Sequence, residues 1–214
     1  AISLTLLVPT MLAMLINHEG SNRYNVLSLR KIWYGSSPIR STVLTASMDF
    51  FDADFYQLYG QTETGVNSIL RPEDHAERSQ CTGRDMISAE LRIVDEDGRD
   101  IPVNGIGEII SAQHPLGMIG YFGNPEATIE TIRDGWIHTG DLARVDGDGF
   151  FTVVGRMEDM IISGAENIYP KEIEDAILTL PAVRDVAVFG IPDDVYGEAV
   201  CAAVVLKPDT EATD

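Results

Sequence analysis

Apolar and polar positions along the 214-residue chain change their period as the sequence advances. In the opening stretch Met11, Met14, Leu15 and His18 recur at helical spacing after Thr10, whose hydroxyl can cap a first turn, so a helix is expected over residues 10–18. Leu29-Arg30-Lys31-Ile32-Trp33-Tyr34 reads as a short strand ending in the small-residue loop Gly35-Ser36-Ser37-Pro38, and a second strand from Asp54 to Leu58 runs into Tyr59-Gly60. Strand, small loop and helix in succession are the grammar of an α/β domain. Over residues 81–155 the period is two. Glu90 to Val94 alternates, Asp95-Glu96-Asp97-Gly98 turns and Gly107 to Ser111 resumes; Arg144-Val145, Asp146-Gly147-Asp148-Gly149 and Phe150 to Val154 repeat the pattern. Asp-Gly supplies the positive φ that hairpin turns need, so a β-rich barrel or sandwich is expected here. In the last third Pro170 suits a first helical position, Ile173, Ala176, Ile177 and Leu180 mark an apolar face, and Pro181 ends the helix. Strands follow at Val186 to Phe189 and Glu198 to Leu206.

The expected fold class is therefore α+β (mixed α/β), in three parts: the end of a large α/β domain over 1–80, a β-rich barrel-like subdomain over 81–155, and a hinge with an incomplete, mobile α+β domain over 156–214. The apolar opening Ala1 to Ile16 is shorter than the roughly 20 residues a bilayer span needs. It has no basic leader region or small-residue cleavage site and is interrupted by Pro9, so it reads as a buried segment and not as a membrane helix or signal peptide. An Ala start with no helix start signal suggests a chain cut from something longer.

Hydrophobic residues make up 44% of the chain, enough for a core. Asp and Glu number 34 against 15 Lys and Arg, a net charge of -19. That balance leaves no basic face for a nucleic-acid backbone and argues against an anionic membrane surface as partner. It suits a soluble surface kept apart by self-repulsion and leaves room for a homo-oligomer. Cys81 and Cys201 form no CxxC pair and read as free thiols of a cytoplasmic protein.

Three blocks carry chemistry. In Tyr59-Gly60-Gln61-Thr62-Glu63-Thr64-Gly65 the glycines permit tight backbone paths and close approach to a ligand. Thr62 offers a hydroxyl and an amide to a phosphate oxygen, Glu63 is a hard carboxylate suited to Mg²⁺, and Tyr59 gives a flat face for a base. The same residues would also serve as an ordinary turn between strand and helix, with Thr62 as its cap. In Gly135-Trp136-Ile137-His138-Thr139-Gly140-Asp141 the aspartate can accept both hydroxyls of a ribose, or simply stabilise a turn. Arg156, in Gly155-Arg156-Met157-Glu158-Asp159, can offer a fork of donors to ribose or phosphate, or pair with Glu158 or Asp159 at the surface. Ile161 to Glu174 follows directly.

In this order and spacing the three blocks resemble the adenylate-forming superfamily of acyl- and aryl-CoA synthetases, luciferase-like enzymes and peptide-synthetase adenylation domains, over nearly the whole chain. Gly120-Tyr121-Phe122 with Pro125-Glu126-Ala127-Thr128 resembles the family's stretch before the ribose aspartate. The resemblance implies that Thr62 contacts the α-phosphate and Glu63 associates with Mg²⁺, as the catalytic pair, and that Tyr59, with Gly60 and Gln61, lies beside the adenine. It implies that Gly35, Ser36, Ser37 and Pro38 flank adenine and the acyl pocket, that Asp141 binds the ribose with Arg156 as companion, and that the loop Ser163-Gly164-Ala165-Glu166 approaches the pantetheine arm of CoA. The implied activity is ATP-dependent activation of a carboxylic acid to an acyl-adenylate, then transfer to CoA, with ATP/AMP, Mg²⁺ and CoA as cofactors. A carrier-protein acceptor is the alternative, as is an inactive nucleotide-binding or structural fragment. The family's hinge residue, usually Asp or Lys, is here Glu158, and its Gly-Gly is here Gly164-Ala165. The family's upstream Ser/Thr/Gly-rich phosphate loop and its C-terminal lysine are not in this sequence, and Lys207 does not stand in that lysine's context. The Asp-Gly turns do not continue as calcium loops, the four histidines show no metal spacing, and the Met11–Met14 patch reads as core.

Overall fold

The computed structural model describes residues 2–208 and 210. It divides into two compact units, one of residues up to Thr139 together with Arg144–Thr152, the other of Gly140–Ala143 together with the chain from Val153 onward.

In the first unit, strands β1 (Leu4–Leu7), β2 (Lys31–Gly35), β3 (Asp54–Gln61), β4 (Gly65–Leu70) and β5 (Arg84–Asp85) form a sheet in that order. β1, β2 and β3 run parallel, whereas β3–β4 and β4–β5 are antiparallel. Parallel neighbours need crossovers. They are supplied by helices α1 (Pro9–Asn17) and α2 (Ser41–Phe50). The core between helices and sheet is Leu12, Ile32, Tyr34, Leu44, Phe51 and Phe55, none more than 5% exposed. Alternation on β2 sends Ile32 and Tyr34 to this side, and the register sets Ile32 beside Phe55.

Several expectations are corrected. Proline 9, not Thr10, starts α1 after the uncapped Val8. Its inward face is Pro9, Leu12 and Ile16, while Met11, Met14 and Leu15 point outward, Met14 at 68% exposed. Nearly every residue of that stretch is apolar, so more than one helical face fits the spacing. Ile2, Leu4 and Leu6 are exposed too, so the opening is not a buried segment; Ala1 lies outside the described residues. The helix α2 has no counterpart among the sequence expectations. Strand β3 reaches Gln61, and its turn leads into antiparallel β4 rather than a helix.

Strands β6 (Leu91–Val94), β7 (Gly107–Ala112), β8 (Ile132–Arg133), β9 (Trp136–Val145) and β10 (Phe151–Arg156) form a second sheet in the order β10-β9-β7-β6, with β8 on β9. The expected Asp-Gly turns are present: the Gly98 and Gly149 amides donate to the Asp95 and Asp146 carbonyls. Asp146 and Asp148 pair with Arg78 of α3 (His75–Arg78), and the Arg78 and Arg84 guanidinium groups lie 4.0 and 4.2 Å from the Phe150 ring centroid. Burial disfavours the Asp146 charge, but the Phe150 and Asp148 amides and Arg78 outweigh it and hold this carboxyl below its ordinary range. Those carboxylates serve the turn. Among the described residues no group of three or more His, Cys, Asp or Glu is arranged to hold a metal.

His75 is buried under β2 and β3. Its Nδ1 lies 2.8 Å from the Arg71 carbonyl and its Nε2 lies 3.0 Å from the Tyr34 hydroxyl, which also lies 3.1 Å from the Gln57 side chain. Burial holds the imidazole below its ordinary 6.5, against the Arg71 and Pro72 carbonyls and the Asp74 and Glu73 carboxylates. The unfolded chain therefore takes up this proton first, and the unit loses stability as pH falls below the unfolded value. Urea unfolding at pH 7.5 and 5.5 is expected to show a smaller acid loss for His75→Gln than for the parent; an equal loss would contradict the assignment.

In the second unit, β11 (Ile161–Ser163), β12 (Glu166–Ile168), β13 (Val183–Asp193) and β14 (Gly197–Leu206) make a sheet in the order β12-β11-β14-β13. Helix α5 (Pro170–Leu178) begins at Pro170 as expected. Ile173 and Ile177 are half-buried, but Ala176 and Leu180 are exposed, so the inward stripe is narrower than the spacing implied. Glu174 accepts the Val188 amide at 2.9 Å, tying α5 to β13. Neither Cys81 nor Cys201 is in a disulfide. Among the described residues no helix is long and apolar enough to cross a membrane.

Candidate functional site

Ligands in open α/β sheets gather outside the carboxyl ends of the parallel strands. Two of the candidate segments sit at such ends in the first unit. β2 stops at Gly35, paired with Leu58 of β3, and Ser36-Ser37-Pro38 leaves the sheet exposed. A side chain at Gly35 would meet the Leu58 carbonyl oxygen at 2.2 Å, and one at Gly60 would meet that of Gly65 at 2.0 Å. Packing of the β3–β4 hairpin, with its register shift at Tyr59/Gly60, thus already demands the glycine at 60.

The turn Thr62-Glu63-Thr64 is fixed from inside. The wholly buried Thr64 hydroxyl accepts from the Gln61 amide and from Asn67 Nδ2 at 2.9 Å, and Asn67 Oδ1 accepts from Ser111. Gln61 Nε2 donates to the Thr139 carbonyl at 2.9 Å. Residues 114–118 brace the other side. His114 Nδ1 accepts the Leu116 amide, which leaves Nε2 to carry the hydrogen that meets the Thr64 carbonyl at 3.0 Å. The Met118 amide donates to the Glu63 carbonyl at 2.7 Å. The backbone is held rigidly while two side chains face outward. Thr62 is exposed, and its hydroxyl has no hydrogen-bond partner among the described residues; it caps no helix. Glu63 Oε1 accepts from the Tyr121 hydroxyl at 2.8 Å. Tyr59 is half-buried. A single carboxylate with one oxygen uncommitted suits Mg²⁺, which keeps its waters and takes one or two carboxylates beside a phosphate.

The sequence motif around Asp141 divides between two roles. His138 in β9 faces Glu108 of β7, Nδ1 to Oε2 at 2.7 Å, both side chains largely buried. His138 stands inside a block that the sequence reading marked for chemistry, whereas Glu108 was given no role there.

In the second unit Asp141 and Arg156 come together. Asp141 lies within β9, not after a turn, and is 7% exposed. A buried carboxylate requires partners; Arg156 Nη1 meets its Oδ1 at 3.1 Å, and Arg156 Nε lies 3.8 Å from Glu158. The surface-pairing reading of Arg156 thus holds, and the guanidinium also meets Asp141. The Met157 amide donates to the Gly140 carbonyl, tying the chain just after β10 to β9. Gly164 and Ala165 form the two-residue turn between β11 and β12, at φ +59 and +68, and the Gly164 amide donates to the Tyr196 carbonyl. A left-handed alanine costs about 1–2 kcal/mol, so Ala165→Gly is expected to raise unfolding stability by about 1 kcal/mol in urea melts; destabilisation would contradict the turn geometry. Lys207 Nζ donates to the Pro181 carbonyl at 2.7 Å.

Comparison with known proteins adds independent information. A family profile described as AMP-binding enzyme matches residues 1–122, and one described as AMP-binding enzyme C-terminal domain matches residues 172–214. The medium/long-chain-fatty-acid–CoA ligase FadD8 of Mycobacterium tuberculosis is 42% identical over 208 residues, 96% of this chain and 36% of that protein. The amide bond synthetase McbA from Marinactinospora thermotolerans superposes with a TM-score of 0.89 at 34% identity, covering 99% of this chain and 44% of its own. The o-succinylbenzoate CoA synthetase of Bacillus subtilis, solved with ATP and magnesium, gives 0.84 at 33% identity, covering 99% and 43%. The chain thus spans roughly two fifths of the length of the proteins it matches.

Proposed function

Because this chain belongs to the AMP-binding enzyme family, we propose that it carries the nucleotide contacts of an acid–thiol ligase that activates a carboxylic acid with ATP and passes the acyl group to CoA. The observation that carries the reading is the braced Thr62-Glu63-Thr64 turn, which spends its backbone and Thr64 on rigidity and leaves the Thr62 hydroxyl and one Glu63 oxygen for a ligand. In this reading Thr62 holds the α-phosphate. Glu63 holds Mg²⁺, which supplies charge neutralisation on the phosphates. Tyr59, Gly60 and Gln61, with Gly35 to Pro38, border the adenine and the rim of the acyl pocket. Asp141 accepts the ribose hydroxyls, oriented by Arg156. The Gly164 turn serves the thiol half-reaction. The divisions at 80 and 155, with Glu158 as hinge, belong to the same proposal, and two unpaired cysteines support a cytoplasmic setting.

The chemistry is a pair of displacements. A carboxylate oxygen attacks the α-phosphorus, the bond to the β-phosphate oxygen breaks, and pyrophosphate leaves. The thiolate of CoA then attacks the acyl carbon, and AMP departs with the original carboxylate oxygen. Fixed donors at Thr62 suit this, since such transfers rest on positioning and on stabilising charge. CoA is preferred to a carrier protein because Ser163 to Pro170 resembles CoA ligases more than peptide-synthetase adenylation domains, and the similarity to a fatty-acid–CoA ligase supports it.

A second reading is favoured by the span of two fifths of its relatives: alone, the chain binds nucleotide without turning it over. Pyrophosphate release with ATP, Mg²⁺ and a panel of carboxylic acids distinguishes them. We expect no turnover from this chain and turnover from a longer one that contains it; release from this chain alone would contradict the second reading, and none from either would contradict the ligase assignment.

A further inference from the structure

We infer that Tyr121 is a positioning residue for the Glu63 carboxylate, and that the motif from Gly120 to Thr128 is the device that holds it there. The inference rests on the reading of Glu63 as the metal-side carboxylate. The Tyr121 hydroxyl donates to Glu63 Oε1 at 2.8 Å across 58 residues of sequence. Everything around Tyr121 fixes that reach. The Tyr121 amide donates to Thr128 Oγ1 at 2.9 Å, and the same hydroxyl donates to the Asn124 carbonyl at 2.8 Å. Asn124 caps helix α4 (Pro125–Thr131) by accepting the Ala127 amide at 3.1 Å, and its own amide returns to the Tyr121 carbonyl at 3.3 Å. Gly120 has φ +149, and a Cβ there would stand 2.9 Å from Thr128 Cγ2, so only glycine lets the chain pass Thr128 in this path. On the other flank the Met118 amide grips the Glu63 carbonyl, so one short segment holds this residue by backbone and side chain together.

The consequence concerns how the carboxylate meets a cation. A glutamate free to rotate can offer one oxygen or both, whereas Mg²⁺ demands near-octahedral geometry with retained waters. With Oε1 tied to a phenol, Oε2 is left as a single, oriented ligand.

The test is Mn²⁺ binding by this chain in the presence of ATP, followed by electron paramagnetic resonance, for the parent and for Tyr121→Phe, Gly120→Ala and Glu63→Gln. Outer partners of metal ligands typically contribute tenfold or more to metal affinity. We expect Tyr121→Phe to raise the half-saturating Mn²⁺ about tenfold while metal-free ATP affinity is unchanged, and Gly120→Ala, which keeps the hydroxyl but displaces it, to do the same. Glu63→Gln is expected to remove the bound signal. Loss in Glu63→Gln with parental affinity in Tyr121→Phe would overturn the positioning role alone. Parental affinity in Glu63→Gln, or no bound signal in the parent, would overturn the metal-side reading beneath it.

Discussion

Replacing Asp141 by asparagine is expected to cost this chain about 100-fold in affinity for AMP. The carboxylate is buried and oriented by Arg156, so in the role proposed for it, it would meet a ribose with its acceptors already set. A hydrogen bond to a charged group contributes about 1.5–3 kcal/mol, and each 1.4 kcal/mol is tenfold in binding. Asparagine keeps the volume and one acceptor but turns an amide toward the second hydroxyl and gives Arg156 Nη1 a neutral partner in place of a charged one. Calorimetry with 2′,3′-dideoxy-AMP separates this from general damage: the parent is expected to bind that analogue about as weakly as Asp141→Asn binds AMP. If the variant lost affinity for both nucleotides alike, ribose recognition would not be the role of Asp141.

The second large effect is structural. Phe55→Ala is expected to destabilise the first unit by about 3–5 kcal/mol. Phe55 has no exposed surface, stands edge-on to Tyr34 with ring centroids 6.2 Å apart, and lies opposite Ile32 in the β2–β3 register. Domains of this kind hold only about 5–15 kcal/mol in all. The same two strands end in Gly35 and in the Tyr59 to Gln61 stretch, so nucleotide affinity is expected to fall with stability. A loss below about 1.5 kcal/mol in urea titration would mean that this core repacks, against the usual cost of emptying it.

Sequence alone disclosed the turns and the helix start whose residue types are set by local needs. The Asp-Gly turns need a left-handed residue and Pro170 needs a helix start, and both are visible in a few positions. Features that depend on distant partners were hidden. The pairs Glu63–Tyr121 and Glu108–His138 span 58 and 30 residues, and no local pattern announces them. The helix Ser41–Phe50 is rich in Ser, Thr and a β-branched valine, weak helix formers, and holds because Leu44 and its neighbours pack on the sheet. The inward face of α1 was ambiguous for the opposite reason: with Met11, Leu12, Met14, Leu15 and Ile16 all apolar, only the sheet decides which side is buried. The path after Gln61 turned on Gly65 to Leu70, whose strand character emerges through pairing with β3.

Isotope transfer tests the central claim most directly. A carboxylic acid labelled with ¹⁸O in both oxygens is supplied with ATP, Mg²⁺ and CoA to the longer ligase of which we propose this chain forms part, and the products are weighed. Attack by the carboxylate on the α-phosphorus predicts AMP carrying one ¹⁸O and unlabelled pyrophosphate. Label in inorganic phosphate, or AMP without label, would contradict the account.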